Sequence, residues 1–373
     1  MESKYNFETK YRKQVLQCSR CGFCQAVCPV FGLTLRPSLN ARGKMLLLKE
    51  IMDGQIDLDS EELVETLYQC TTCASCEENC PSGVNVPDII KEARKDMVHI
   101  GSCHPAFKGM NEVLQESGNI YAEDEPEDFE RKRNQKAEHV YFIGCVGSYR
   151  EDEATMSVLA LLDRLKIDYT LIDEVCCTGV LEDLGYPMID KHVRTNIDLI
   201  LATGAKTVIT GCPYCSRTFN NKPQYAELKE KGIRVVHIIQ FLKDFDFGVQ
   251  TEKRVTYHDP CDLGRHCGIY DEPREIIRKI APNFVEMPHT RENALCCGAG
   301  GGVRGAYPKN SIGMARRRLK EVEEVDADIL LTECNSCLHN FSNAKLRKQK
   351  FKIYNITQFI SKLMEEGSEK DKA

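Results

Sequence analysis

No stretch of this 373-residue sequence approaches the roughly 18 consecutive apolar residues of a membrane-spanning helix. A basic excess is missing as well. Lysine and arginine number 50 against 56 aspartate and glutamate, a formal net charge of −6, which argues against nucleic acid as a partner. The segment MESKYNFETKYRKQVLQC lacks the apolar core of a secretory leader. The expected location is therefore the cytoplasm, with membrane contact only through a partner protein. No Ser/His/Asp set stands out, and no flavin fingerprint. GAGGGVRG (298–305) contains a formal G-x-G-x-x-G, but it follows a cysteine pair rather than a clean strand and lacks an acidic residue at the required distance. Neither flavin nor nucleotide is expected in this chain, so electrons must come from outside.

Cysteine is what the chain has in excess, at 20 residues. Disulfides are rare where thiols are kept reduced. These cysteines also fall in tight C-x2-C and C-C groups, and adjacent cysteines bridge each other poorly. Thiolate ligation of metal is the reading that fits. CSRCGFCQAVCP (18–29) and CTTCASCEENCP (70–81) both have the form C-x2-C-x2-C-x3-C-P, the bacterial ferredoxin run for a 4Fe–4S cluster. Three thiolates on a tight loop cap three corners of a cubane, and the fourth reaches elsewhere. Zinc also takes four thiolates, but its knuckles pair two C-x2-C units. In two-cluster ferredoxins the fourth cysteine of each run serves the other cluster. That resemblance assigns Cys18, Cys21, Cys24 and Cys80 to one cubane and Cys70, Cys73, Cys76 and Cys28 to the other. Helical spacing in PSLNARGKMLLLKEIMDG and VPDIIKEARKDMVHIG, and a capped start in DSEELVETLYQ, predict a helical ferredoxin-like domain over 1–110. The charged stretch AEDEPEDFERKRNQKAE, without an apolar face, predicts a solvated linker over 111–137.

From residue 138 the sequence repeats loosely. HVYFIGC (139–145) matches VTYHDPC (255–261), and DEVCCTG (173–179) matches NALCCGAG (293–300). KTVITGCPYCSRTF (206–219) matches ADILLTECNSCLHNF (327–341), and RVVHIIQFL (234–242) matches KIYNITQFI (352–360). This is a tandem duplication, with one α/β unit over 138–249, a second over 250–366 and a tail over 367–373. TVITGC and DILLTEC predict buried parallel strands, with NIDLILATGA and ARRRLKEVEEV as the helices before them. The cysteines then lie at strand ends, where open α/β sheets bind ligands, and the two copies are expected to face each other across a cleft. Copy one carries Cys145, Cys176, Cys177, Cys212 and Cys215; copy two carries Cys261, Cys296, Cys297, Cys334 and Cys337. A cubane needs only four thiolates. Five per copy suggest a cluster of another shape with a bridging cysteine, a plain cubane with a spare thiol being the alternative.

One Cys, then Cys-Cys, then C-x2-C, twice, behind a two-cubane module, resembles the CCG-domain iron–sulfur oxidoreductases. Within them it is similar to the D-type heterodisulfide reductase family, in which a C-type ferredoxin module is fused to a B-type catalytic unit. The resemblance runs from residue 18 to about 360. It implies a multidomain α+β protein, with a helical two-cluster ferredoxin module followed by two tandem α/β CCG domains. It implies four 4Fe–4S clusters: two cubane and two non-cubane, the latter held by five cysteines each. It implies reduction of a disulfide, such as the heterodisulfide of coenzymes M and B, between the non-cubane clusters. The donor it implies is a separate redox protein, either a cytochrome b or a flavin-containing iron–sulfur protein. The iron–sulfur subunits of glycolate, lactate and glycerol-3-phosphate dehydrogenases are related and supply the alternative function, an electron relay towards quinone. Retention of all five cysteines in both copies favours the reductase.

Polar candidates concentrate in HDPCDLGRHCGIYDEPRE (258–275). His258 is a candidate proton donor or hydrogen-bonding tuner of a cluster, and Arg265 a candidate for holding an anionic substrate arm. Gly298, Gly300 and Gly301 are expected to let the backbone wrap a cluster with N–H groups aimed at sulfide, and Arg304 to reach the cleft. Cys103 and Cys267 lie outside the pattern; Cys103 reads as a buried or linker thiol, and Cys267 as a sixth thiol near the second set or a merely packed one.

Overall fold

The computed structural model describes residues 4–126, 129 and 132–370. In its first part, helices Asn6–Gln17, Ala41–Met52, Glu61–Tyr68 and Val86–His99 enclose a core that includes Phe7, Leu48, Leu67 and Ile90. Local caps start three of them. Asn40 accepts from the Gly43 N–H at 2.8 Å, Ser60 from Leu63 at 3.3 Å and Asn85 from Asp88 at 3.1 Å. The first helix has no cap of its own. Asp96, on the helix Val86–His99, accepts from the N–H groups of Asn6 and Phe7 at 3.0 and 2.8 Å, placing an anion at the positive end of the first helix.

Strands β1 (His139–Phe142), β2 (Tyr169–Thr170), β3 (Thr207–Thr210) and β4 (Arg234–His237) form a parallel sheet in the order β2-β1-β3-β4. Strands β5 (Val255–Tyr257), β6 (Ile329–Thr332) and β7 (Lys352–Asn355) form a second parallel sheet in the order β5-β6-β7. An isolated parallel bridge between Val255 and Phe284 stands where β2 stands in the first sheet. The internal repeat is thus also a repeat of topology. β3 and β6, the central TVIT and ILLT runs, are buried throughout, as expected of parallel strands covered on both faces.

The two α/β units share a core. Helix Asp152–Arg164 of the first packs on Ile356–Lys370 of the second, and Ile238–Leu242 of the first on Asp271–Ile280 of the second. Leu159 and Leu162 are buried in one cluster with Ile277, Ile329 and Ile360. This exchange turns the cysteine-bearing strand ends of both sheets towards the same space.

The predicted solvated linker requires correction. A helix, Pro105–Ser117, crosses the expected boundary between 110 and 111, with Phe107 and Leu114 fully buried. Proline opens it and Gly118 closes it in the left-handed region at φ +78°. Further on, Phe129 joins the shared core and Arg150 stacks over Tyr121 at 3.8 Å. Several charges of this run are paired rather than simply solvated, Arg133 with Glu125 and Asp173, and Glu123 with Arg150. Residues 127, 128, 130 and 131 of the expected linker lie outside the described residues, as do 371–373 of the expected tail. The last helix runs through the predicted 366/367 boundary to Lys370. Among the described residues no helix is long and apolar enough to cross a membrane.

Candidate metal centres and the cleft between them

The two ferredoxin-type loops have the same backbone. Arg20 and Gly22 in the first, and Thr72 and Ala74 in the second, are left-handed, at φ +58°, +91°, +52° and +63°. Three of these are not glycine, so the loops hold strained residues at matching places, which turns successive thiols inward. Short helices Phe23–Val27 and Ser75–Glu78 follow. Cys18, Cys21, Cys24 and Cys80 line one small cavity, with Arg20 and Arg42. Cys28, Cys70, Cys73 and Cys76 line another, with Lys44. The structure therefore brings together the two groups of four named from the sequence. The first cavity lies at the surface, with Cys21 exposed; the second is interior, with Cys73 buried. Burial pushes the Cys28 thiol up to about 11.

In each α/β unit the five cysteines sit at the carboxyl ends of the strands. Cys145 follows β1 and opens the helix Cys145–Tyr149; Cys212 follows β3 and caps the helix Pro213–Asn221, in whose first turn Cys215 lies. In the second unit Cys334 likewise caps the helix Asn335–Ala344, which carries Cys337. The thiols lie side by side in two chains, with a thiol–thiol hydrogen bond in each. One runs Cys145, Cys176, Cys177, Cys215, Cys212, with Cys215 and Cys177 sulfurs 3.5 Å apart. The other runs Cys261, Cys296, Cys297, Cys337, Cys334, with Cys337 and Cys297 sulfurs 3.1 Å apart. The central thiols Cys177 and Cys297 are held well below the usual thiol range by hydrogen bonds from their neighbours: Cys176 and Cys215 on one side, Cys296 and Cys337 on the other. Backbone N–H groups also face the sulfurs, Thr178 to Cys176 at 3.4 Å and Gly298 to Cys296 at 3.3 Å. All 20 cysteines are free, and separations above 3 Å are not disulfide lengths. A convergent, all-sulfur donor set fits iron–sulfur ligation.

Both chains of thiols open into one cleft of about 1060 Å³, part of it continuous with solvent. Cys145, Cys176, Cys177, Cys212 and Cys215 line one side; Cys261, Cys297, Cys334 and Cys337 line the other. Met110 and Ile120, from the end of the ferredoxin module and the segment expected to be a linker, supply an apolar wall with Val180. Two acidic lining residues are already paired: Asp262 with Arg217 at 2.9 Å, and Asp183 with the Thr72 hydroxyl at 2.9 Å and Arg217 at 3.9 Å. Arg304 also lines the cleft. One of its nitrogens donates to the Tyr121 hydroxyl at 3.1 Å, while the other, Nη1, is shielded from solvent and has no partner among the described residues.

The second five-cysteine set touches the interior cavity. The Cys296 sulfur lies 3.8 Å from the hydroxyl of Thr71, which lines that cavity, and the neighbouring Cys296 thiol holds the Cys73 thiol well below the usual thiol range. Arg265 spans this junction. Its Nε donates to the Cys73 carbonyl at 2.5 Å and its Nη1 to the carbonyls of Glu292 and Ala294 at 3.0 and 2.9 Å. It does not line the cleft, so the role expected for it as a substrate anchor is corrected: its side chain turns away from the cleft towards the ferredoxin module. His266 does the same, meeting the Thr72 carbonyl at 2.9 Å.

His258 is also placed differently from a proton donor to substrate. It is 1% exposed and lies behind the thiols. Arg318 donates to its Nδ1 at 3.2 Å, which puts the ring proton on Nε2, and the ring lies edge-on to Phe341. One ring nitrogen and the Cys297 and Cys337 sulfurs lie within 4.8 Å of one another. Burial lowers its pKa, so the ring is neutral near pH 7. Gly300 and Gly301 line the cleft beside the cysteines, and both are also needed for a close backbone approach. A Cβ on Gly300 would lie 2.7 Å from the Thr71 carbonyl oxygen, and one on Gly301 2.3 Å from that of Cys70. Cys103 meets the Tyr186 hydroxyl at 3.1 Å, and Cys267 lies beside Asp262 and Arg217, its thiol pushed up to about 12 by burial. The sequence reading missed Arg94, which is fully buried. It bonds the carbonyls of Leu67 and Cys70 at 2.8 Å, Asp183 at 2.5 Å and Gly301 at 3.2 Å, and so ties all three units together. Its position in an amphipathic helix gave no sign of this.

A helical module with two four-cysteine cavities, joined to paired α/β units that open two five-cysteine sets into one cleft, defines an iron–sulfur oxidoreductase component. The 4Fe-4S dicluster domain family matches residues 14–84, and the Cysteine-rich domain (CCG) family matches 139–220 and 255–342. The chain is similar to the D subunit of the dihydromethanophenazine:CoB–CoM heterodisulfide reductase of Methanosarcina mazei, at 31% identity over 363 residues, covering 88% of each. To the corresponding D subunit of Methanosarcina acetivorans it is 30% identical, again over 88% of each. A solved hypothetical protein from Helicobacter pylori shares the fold, with a TM-score of 0.61 at 14% identity, covering 96% of this chain and 75% of that one. The chain belongs to the D-type heterodisulfide reductase family, and iron–sulfur clusters are its cofactors.

Proposed function

We propose that this chain is the disulfide-cleaving component of a heterodisulfide-reductase complex. It takes electrons from a redox partner at its ferredoxin module and delivers them to a disulfide held in the cleft. The observation that carries this reading is the cleft itself, into which both five-cysteine sets open. A relay between a flavoprotein and quinone needs no solvent-connected space between its two terminal sets.

In this reading Cys18, Cys21, Cys24 and Cys80 hold one cubane and Cys28, Cys70, Cys73 and Cys76 the other, while each five-cysteine set holds a non-cubane cluster. Bound there, the clusters supply single electrons and iron that accepts thiolate sulfur. The chain's own residues do the rest. The Cys73–Cys296 contact joins the ferredoxin module to the second α/β unit. Met110, Ile120 and Val180 keep part of the cleft apolar, and Arg304 on its wall supplies positive charge for an anionic arm of the substrate. Cleaving the S–S bond takes two electrons from the partner and two protons from solvent at the cleft mouth, and each sulfur leaves as a thiol. The heterodisulfide of coenzymes M and B is the first candidate substrate; another thiol pair would meet the same chemistry. The partner is a cytochrome b or a flavin-containing iron–sulfur protein that docks on residues 1–110.

The test is anaerobic oxidation of reduced methyl viologen by the full chain with a panel of disulfides. The expected result is two viologens consumed and two thiols formed per disulfide, abolished by Cys145→Ala and by Cys334→Ala. An iron-loaded chain that oxidises viologen with no disulfide in the panel, or variants that keep the full rate, would overturn the proposal.

A further inference from the structure

Three cations surround the interior cysteine set, and none has a carboxylate partner among the described residues. Lys44 is 2% exposed, lines the cavity with Cys28, Cys70, Cys73 and Cys76, and donates only to the Leu39 carbonyl. Arg94 is fully buried and bonds only carbonyls, that of Cys70 among them. Arg265 also bonds only carbonyls, that of Cys73 among them, and its Nη2 is buried with no partner. A buried charge satisfied by carbonyls alone still lacks compensation, and leaving it so is strongly unfavourable. The anionic groups placed to compensate this charge are cluster thiolates: Cys28, Cys70 and Cys76 beside Lys44, and Cys73 together with Cys261 and Cys296 of the adjoining set beside Arg265, while Arg94 reaches the interior set through the Cys70 carbonyl.

The exterior set is built otherwise. Cys21 is exposed, and of the two arginines that line its cavity Arg20 is exposed and Arg42 half-buried, so neither is enclosed as Lys44 is. Charges there are screened by water and salt. A thiolate-ligated cluster carries net negative charge, which grows by one unit when it takes an electron. Nearby cations in a low-dielectric pocket therefore favour the reduced state most where they are buried. Burial without cations would act the opposite way, disfavouring the added charge.

Resting on the reading that both four-cysteine sets hold 4Fe–4S clusters, we propose that Lys44, Arg94 and Arg265 make the interior set the higher-potential, electron-collecting site of the ferredoxin module. One electron then moves downhill from the exterior to the interior set, oxidising the first and reducing the second, and waits beside the Cys73–Cys296 junction until the partner supplies another. The three are positioning residues: they set a potential and take no part in bond chemistry.

The experiment is an EPR-monitored redox titration of the anaerobically purified full chain, with Cys21→Ser identifying the exterior signal. The signal that Cys21→Ser alters is expected to titrate at the lower potential. Lys44→Gln is expected to shift the other signal downward and leave the exterior one in place, and Lys44→Arg to restore it. A higher potential for the signal altered by Cys21→Ser overturns the inference, and that comparison does not depend on any cation variant folding. A Lys44→Gln chain that loads both clusters with unmoved midpoints also overturns it. Absence of any cubane signal from iron-loaded wild-type chain would overturn the cluster reading instead, and this inference with it.

Discussion

Arg274→Met tests whether the loop carrying Cys261 is held by a buried ionic network. Arg274 is fully buried and its guanidinium is used on every side. It bonds Asp259 at 2.7 and 2.9 Å, Glu286 at 2.7 and 3.1 Å, and the Tyr270 carbonyl at 2.7 Å. Methionine fills similar space but strands Asp259, which is 3% exposed and keeps only the Arg291 N–H at 2.9 Å. Removing one partner of a buried pair costs about 3–5 kcal/mol. Glu286, with its side chain 38% exposed, relaxes into water and adds little. The expected loss is thus about 3–4 kcal/mol, and adding Asp259→Asn should recover roughly half, because it removes the stranded charge. The pH dependence follows in sign. Burial alone would raise the Asp259 carboxyl, but Arg274 outweighs it and holds the pKa low. The wild-type contribution is therefore full above the unfolded value of about 3.9 and is lost as pH falls. In Arg274→Met the buried carboxyl has lost its cation, so stability instead declines as pH rises through that value. The assay is guanidinium denaturation of the anaerobic holoprotein between about pH 2 and 8, with hydrogen exchange read at 258–261. A loss below about 1 kcal/mol, or an additive penalty from Asp259→Asn, would refute the reasoning.

Gly301→Ala should open the junction between the glycine-rich loop and Cys70, since its Cβ meets a carbonyl oxygen at 2.3 Å and its φ is +59°; a loss of about 1–3 kcal/mol in thermal unfolding checks this. Glu333→Gln should flatten stability against pH. Burial raises the Glu333 carboxyl to about 7 against the hydrogen bonds of Thr357, so the folded chain keeps a proton the unfolded chain has lost. Stability then falls by roughly 3 kcal/mol as pH rises from about 4.3 to 7, and the glutamine should abolish that slope. Arg304→Gln should raise KM for a disulfide bearing a carboxylate or phosphate at least tenfold, about 1.4 kcal/mol or more, while a neutral disulfide changes less than about twofold; steady-state kinetics on the pair decide it.

Cysteine spacing is a short-range pattern, and so both ferredoxin-type loops, the duplicated unit and the central strands were legible from sequence. The cap at Ser60, read in DSEELVETLYQ, is equally local. What stayed hidden is long-range. Asp96 starts a helix from across the module, Arg94 joins three units through carbonyls that carry no sequence signature, and the Pro105–Ser117 helix hides two buried side chains ahead of a strongly charged run. Arg265 and His258 stand out in the sequence as unusual, but the direction in which each points depends on how the loop after β5 turns against the ferredoxin module.

The central claim is that a disulfide is cleaved between the two five-cysteine sets. EPR of the oxidised, anaerobically isolated chain, recorded with each candidate thiol in turn, tests it most directly. The account predicts a new paramagnetic signal with one thiol, lost in Cys145→Ala or Cys334→Ala but kept in Cys21→Ser. An unchanged spectrum with every thiol, in a chain that carries its full complement of iron, would contradict it.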